Sequence, residues 1–229
     1  QSNLPWVFFN TMPGNKLRNL ITKKFMEISI FFCDLLIVDS NFAKNEISNI
    51  LNIKKNKIEV VYLGLDKKFL SSQNNNDVVE NFDYQQKYLF SVISCVKYHN
   101  ILNLLRAFRK LLDENSMQLK LVFVMQILDK KYYKILDNYI KKKFKNEEII
   151  ILSNLDSKYL PKLYKHSQLY LFSSYCEVFG LTSLEAMSQG CPILISNTSA
   201  LPEINDIAAD YFDPDNVMDI KDKMQKIIS

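Results

Sequence analysis

Short, unbroken apolar runs alternate with longer amphipathic ones along most of the chain, and this alternation constrains the fold more than any other feature. Leu35-Leu36-Ile37-Val38, Tyr88 to Ile93, Leu119 to Met125, Ile149 to Leu152, Leu169 to Phe172 and Pro192 to Ile195 read as buried strands. A strand that is apolar on consecutive positions is covered on both faces, as parallel strands between helices are. Further strands are expected at Leu4 to Phe9, Lys57 to Leu63 and near Tyr211. Helices are expected over Lys16 to Phe32, from Ser40 as N-cap to Leu51, and over Ile101 to Leu112, Lys131 to Phe144, Ser157 to Lys165, Leu181 to Gln189 and Asn216 to Ile228. The expected fold class is α/β, with a parallel sheet covered on both faces. Such sheets bind ligands beyond the carboxyl ends of their strands.

A polar stretch, Ser71-Ser72-Gln73-Asn74-Asn75-Asn76-Asp77, divides the alternation. The expected organisation is a first unit over residues 1–70, a linker over 71–86 and a second unit over 87–229. A strand-helix-strand piece as short as the first cannot bury both of its faces alone.

Composition removes several function classes. With 48% hydrophobic and 24% charged residues, the chain can bury a core and is not disordered. Twenty-nine basic and 25 acidic residues leave a net charge of +4, too diffuse for a nucleic-acid partner. The densest basic run, Lys141-Lys142-Lys143-Phe144-Lys145, suits the solvated end of a helix. It also suits peripheral contact with anionic lipid, at about 1 kcal/mol per basic residue. Four cysteines without a CxxC pair, and only two histidines, give no zinc cluster and point to a reduced, cytoplasmic chain. The most apolar stretch, Ile28 to Val38, is interrupted by Asp34 and falls short of the ~20 residues that span a bilayer.

The chemistry concentrates in Ser173 to Met187. A strand ends at Ser173, a loop carries Glu177, and a helix starting near Gly180 carries Glu185. The unpaired N–H groups at Gly180, Leu181 and Thr182 would form an anion cradle at the helix start. Two carboxylates flanking such a cradle suit a ligand with phosphates in the middle and sugars on either side. The same residues also suit a plain helix start with two solvated glutamates.

Glu177 and Glu185, with Phe179-Gly180-Leu181 between them and Glu185-Ala186-Met187 closing the motif, resemble the E-x7-E signature of family-4 retaining glycosyltransferases of the GT-B fold. Other segments resemble that family in order: Asp34 to Ser40, Val60 to Asp66, Asn100 to Phe108, Ser157 to Ser174 and Leu201-Pro202-Glu203. The resemblance implies a nearly complete, Rossmann-like nucleotide-sugar donor domain preceded by the last part of an acceptor domain. It implies that Glu177 contacts the donor sugar and serves as the catalytic group, and that Glu185 binds the ribose. It implies further that Phe179, Gly180 and Leu181 line the diphosphate and sugar, and that Asn154 lies near the base. The implied partners are a nucleotide-sugar donor and a glycan or lipid-linked acceptor, with no metal or other cofactor.

The chain departs from the family in two ways. Ser94 and His99 stand where the family places an arginine and a lysine that hold the diphosphate. Lys97 is the nearest substitute. His99 can donate a hydrogen bond but carries charge only when protonated, so donor binding is expected to tighten as pH falls below neutrality. In length, residues 1–70 match only the end of an acceptor domain, without the family's catalytic histidine, so a fragment or truncated product is expected. These departures keep open a non-catalytic nucleotide-binding relic or partner subunit, and more distantly a nucleotide-sugar epimerase.

Overall fold

The computed structural model describes residues 16–70, 77–115, 118–145 and 147–229. The expected strand at Leu4 to Phe9 and the linker residues 71–76 lie outside the described residues.

A small parallel pair comes first. Helix α1 (Lys16–Phe32) leads to strand β1 (Leu36–Val38), helix α2 (Asn41–Leu51) and strand β2 (Ile58–Val60), with Leu36 opposite Ile58 and Val38 opposite Val60. Ser40 caps α2, its Oγ accepting from the Ala43 N–H at 3.0 Å. The strand expected to reach Leu63 ends at Val60 because β1 has no more residues to pair with. Val61 still donates to the Val38 carbonyl at 2.8 Å, and there the ladder stops. Phe25, Phe31, Phe32 and Ile37 remain exposed, the open apolar face expected of so short a unit. A short helix, α3 (Lys67–Leu70), which the sequence pattern did not announce, follows and buries Phe69 in the larger core.

The second unit is a six-stranded, wholly parallel sheet. Its elements are β3 (Tyr88–Cys95), α4 (Ile101–Glu114), β4 (Lys120–Ile127), α5 (Lys130–Lys143), β5 (Ile149–Ser153), α6 (Leu160–His166), β6 (Leu169–Phe172), α7 (Leu181–Ser188), β7 (Ile193–Ser196), α8 (Leu201–Asn205), β8 (Asp210–Phe212) and α9 (Val217–Ile228). The spatial order is β5-β4-β3-β6-β7-β8. Helix α4 shows why the pattern works. Ile101, Leu104, Leu105, Phe108 and Leu111 recur on one face, and all are buried. Each such side chain contributes about 1.5–3 kcal/mol of burial. Asp129 and Asn216 cap α5 and α9 by accepting two backbone N–H groups each.

One expected helix divides. Residues 157–159 form a 3₁₀ turn, and the α-helix begins at Leu160. A continuous helix from Ser157 would need an N–H from Pro161, which has none, so Pro161 sits in the first turn of a new helix.

The chain steps outward from β3 through β4 to β5, then returns to lay β6 on the other side of β3. The loops after β3 and β6 therefore leave in opposite directions, and the crevice between them is where a doubly wound sheet binds its ligand.

Candidate functional site

The loop after β3 forms a 3₁₀ turn over Lys97–His99, then Asn100 opens α4 with a left-handed φ of 54°. The loop after β6 runs from Ser173 to Gly180. Backbone and hydroxyl bonds join the two loops: Tyr175 N–H to the Tyr98 carbonyl at 2.8 Å, and Ser173 Oγ to the His99 carbonyl at 2.7 Å. A third loop, after β7, closes the set. Glu177 N–H donates to Ser199 Oγ at 2.9 Å, and Ala200 N–H donates to the Glu177 carbonyl at 3.2 Å. Ser196 and Thr198 hydroxyls both donate to the Ser174 carbonyl. The Glu177 backbone is thus fixed on both sides by the loop after β7.

Its side chain meets His99. Glu177 Oε1 lies 3.2 Å from His99 Nε2, while His99 Nδ1 lies 2.6 Å from the Ser94 carbonyl oxygen. His99 is buried, with Tyr98 and Phe172 rings against it.

Three residues on, Gly180 opens α7 at φ 87°, and no side chain caps that helix. The expected cradle of Gly180, Leu181 and Thr182 is therefore an uncapped helix start beside Glu177, with Phe179 buried ahead of it. Glu185 lies on the same helix and accepts from the Tyr164 hydroxyl at 3.0 Å. Burial raises its pKa, and the Tyr164 hydrogen bond partly offsets that rise. Asn154 follows β5 with a left-handed φ of 57° and is exposed. Lys97 is exposed and lines an open cavity of about 670 Å³ with Phe42, Glu46, Tyr98, Tyr175, Thr198 and Ser199. His99, Glu177, Gly180 and Leu181 thus lie together on the loops after β3 and β6, Glu185 lies along α7, Lys97 lines the neighbouring cavity, and Asn154 follows the edge strand β5, two strands from β3. Among the described residues, no group of three or more His, Cys, Asp or Glu could hold a metal ion.

A family model described as "Glycosyl transferases group 1" matches residues 72–229. The chain belongs to this family. O-antigen chain mannosyltransferase B of Escherichia coli is 25% identical over 213 residues, covering 90% of this chain and 54% of that protein. O-antigen chain mannosyltransferase RfbU of Salmonella typhimurium is 21% identical, covering 89% and 54%. Among solved structures, Anabaena HepE in complex with UDP and glucose superposes with a TM-score of 0.75 at 15% identity, covering 88% of this chain and 55% of that one. A Rickettsia africae glycosyltransferase superposes with a TM-score of 0.70 at 22% identity, covering 85% and 53%. These likenesses show the GT-B fold. The chain spans about half the length of these relatives.

In this chain, one residue that braces the site region carried no chemical signal in the sequence. Glu203, on α8, reaches across to the small unit. Its carboxylate accepts from the Asn41 and Phe42 N–H groups at 2.7 and 2.8 Å, and from the Tyr62 hydroxyl at 2.9 Å. It thereby caps the start of α2 from the other unit. Only its place in Leu201-Pro202-Glu203 marked it. Val178, beside Glu177, packs with Val38, Ala43, Ile47 and Ile58 in the small unit's core. These contacts, with the Tyr62 ring 6.1 Å from that of Phe179, tie the site region to the preceding unit.

Burial pushes the Glu203 carboxyl up, but the N–H donors of Asn41 and Phe42, with Tyr62, outweigh it and hold the group below its usual range. A depressed carboxyl stabilises the fold above its unfolded value, about 4.5, and that stability is lost as pH falls through the folded value. Glu203→Ala is expected to lower stability at neutral pH by about 1 kcal/mol, the usual loss for a helix cap. Urea unfolding of both proteins at stepped pH checks this. A gap that fails to shrink as the solution is acidified would assign the loss to packing instead.

Proposed function

We propose that this chain is the donor-binding part of a glycosyltransferase that moves a hexose from a nucleotide-diphosphate sugar to a glycan or lipid-linked acceptor, with retention at the anomeric carbon. The observation that carries the reading is the pair Glu177 and Glu185 on either side of an uncapped helix start, at the point where the sheet order reverses. A diphosphate fits the Gly180–Leu181 N–H groups. Glu185 then faces the ribose hydroxyls and Glu177 the sugar, with Phe179 behind the phosphates, and Lys97 and Asn154 at the phosphate and base ends. In the transfer, the acceptor oxygen bonds to the anomeric carbon as the bond to the diphosphate breaks. The acceptor's proton passes to the departing phosphate oxygen on the same face. The protein supplies prepositioned dipoles for the charge developing on the diphosphate. No metal is invoked.

The likeness to O-antigen chain mannosyltransferases supports a role in surface polysaccharide synthesis. Among the described residues no helix is long and apolar enough to cross a membrane, and the exposed lysines ending α5 favour peripheral contact.

Calorimetric titration with a panel of nucleoside diphosphates tests the donor site. One nucleotide is expected to bind saturably, and Glu185→Ala to weaken it roughly tenfold or more, the loss of hydrogen bonds to a charged group. A folded chain that binds none of them would instead favour a non-catalytic partner subunit, the reading that Ser94 and His99 keep in play.

A further inference from the structure

Position 99 is where the family's phosphate-binding lysine is expected, yet both ring nitrogens of His99 are committed within the protein. Nδ1 lies 2.6 Å from the Ser94 carbonyl oxygen. A carbonyl oxygen only accepts, so Nδ1 carries hydrogen. A neutral imidazole has one such hydrogen, which leaves Nε2 bare. A bare nitrogen 3.2 Å from an ionised carboxylate oxygen would set two acceptors face to face. One proton must lie in that contact. Whichever atom holds it, the pair has no net charge.

We propose that His99 and Glu177 act as one neutral, proton-bridged unit in which His99 is a positioning residue for Glu177 and gives no charge to the diphosphate. The proposal rests on the reading of Glu177 as the sugar contact. Oε1 is taken by His99, and among the described residues Oε2 accepts no hydrogen bond, so Oε2 is the oxygen left for a sugar hydroxyl. The ring itself cannot turn without losing Ser94, and the Tyr98 ring packs edge-on at 4.4 Å. Removing the bridging proton sets the lone pair of Nε2 against Oε1 and drives Glu177 out of position. Sugar recognition should then fail at high pH while phosphate recognition does not.

The other titratable groups around the pair do not mimic this. Burial pushes Tyr98 and Cys176 up to about 12 and raises Tyr170 on β6 further, so all three stay neutral in the range tested. Asp39, raised by burial, faces Glu177 from the end of β1, and Asp39→Asn serves as the control for its charge.

Two measurements decide the matter. The chain has only two histidines, His99 and His166, so ring-nitrogen NMR of histidine-labelled protein resolves each. At neutral pH and without ligand, His99 is expected to show a proton in the Nε2 contact. In Glu177→Gln the amide can donate to a bare Nε2, and that proton signal should vanish. A contact in the unaltered chain with no proton on either Nε2 or the facing Glu177 oxygen overturns the proposal, whatever the protein binds. Calorimetry then compares UDP with UDP-glucose, and GDP with GDP-mannose, at pH 6 and pH 8. The nucleotide sugar is expected to lose roughly tenfold in affinity at the higher pH, the size of one charge-assisted hydrogen bond. The free diphosphate should change less than about twofold. His99→Ala should remove the pH dependence of the sugar conjugate and spare the diphosphate. Parallel loss of both ligands with pH would place His99 on the phosphates and overturn the proposal. If none of the ligands binds, the donor reading fails, and the NMR result still decides whether the pair shares a proton.

Discussion

On the proposed glycosyl transfer, Glu177→Ala is expected to lower kcat by about 10²–10³-fold, the effect of deleting one prepositioned electrostatic group at a reacting centre. The size follows from how firmly the residue is held. Its N–H, its carbonyl and its Oε1 are fixed by Ser199, Ala200 and His99. Little reorganisation is then left for the reaction step, and the whole of that preorganisation is lost on truncation. Donor affinity should fall much less, because in the proposed site the helix start and Glu185 hold the nucleotide. Steady-state kinetics with varied donor separates the two effects. An unchanged kcat would remove Glu177 from the chemistry.

The largest effect on folding is expected at Gly180. Its φ of 87° is a backbone conformation that L side chains rarely adopt, and a Cβ there would lie 2.5 Å from Leu201 Cδ2. Leu201 is wholly buried, so it has little space to yield. The conformational cost and the overpacking together give a loss of about 2–4 kcal/mol for Gly180→Ala. That is a large fraction of the ~5–15 kcal/mol that holds an ordinary domain together. Gly190 provides the control. Its φ is also positive, at 72°, but a Cβ there meets nothing within 4 Å. Gly190→Ala should therefore cost only about 1 kcal/mol, from the backbone alone. Urea unfolding of the two variants side by side measures the difference. Equal losses would show that Leu201 moves aside freely.

Much of this architecture is legible in the sequence because its causes are local. Each buried strand is a contiguous apolar run, and helices such as α2 and α5 carry their own caps in Ser40 and Asp129. The reversal of strand order at β3 and β6 accounts for a site in the loops that follow them, and Glu177, Gly180 and Glu185 lie close together in the chain. The parts that escape are set by distant partners. Glu203 caps a helix 162 residues away, and no local pattern announces that bond. Val178 reads as an ordinary loop hydrophobe until α2 is seen beneath it. His99 reads as the stand-in for a phosphate-binding lysine, and its contact with Glu177 appears only when β6 brings that residue alongside. Even the split of the helix at Pro161 was present in the sequence, as a missing N–H.

Val178 also has a consequence for how the two ends of a transfer reaction communicate. Its side chain belongs to the core of the unit that precedes the linker, while the residue before it faces the crevice. A ligand that shifts the backbone at Glu177 must therefore do work on that core, and a ligand seated on the preceding unit must do equal work in return. Binding free energies linked this way are reciprocal: whatever factor one ligand imposes on the affinity of the second, the second imposes on the first. Val178→Ala should uncouple the two without touching either ligand.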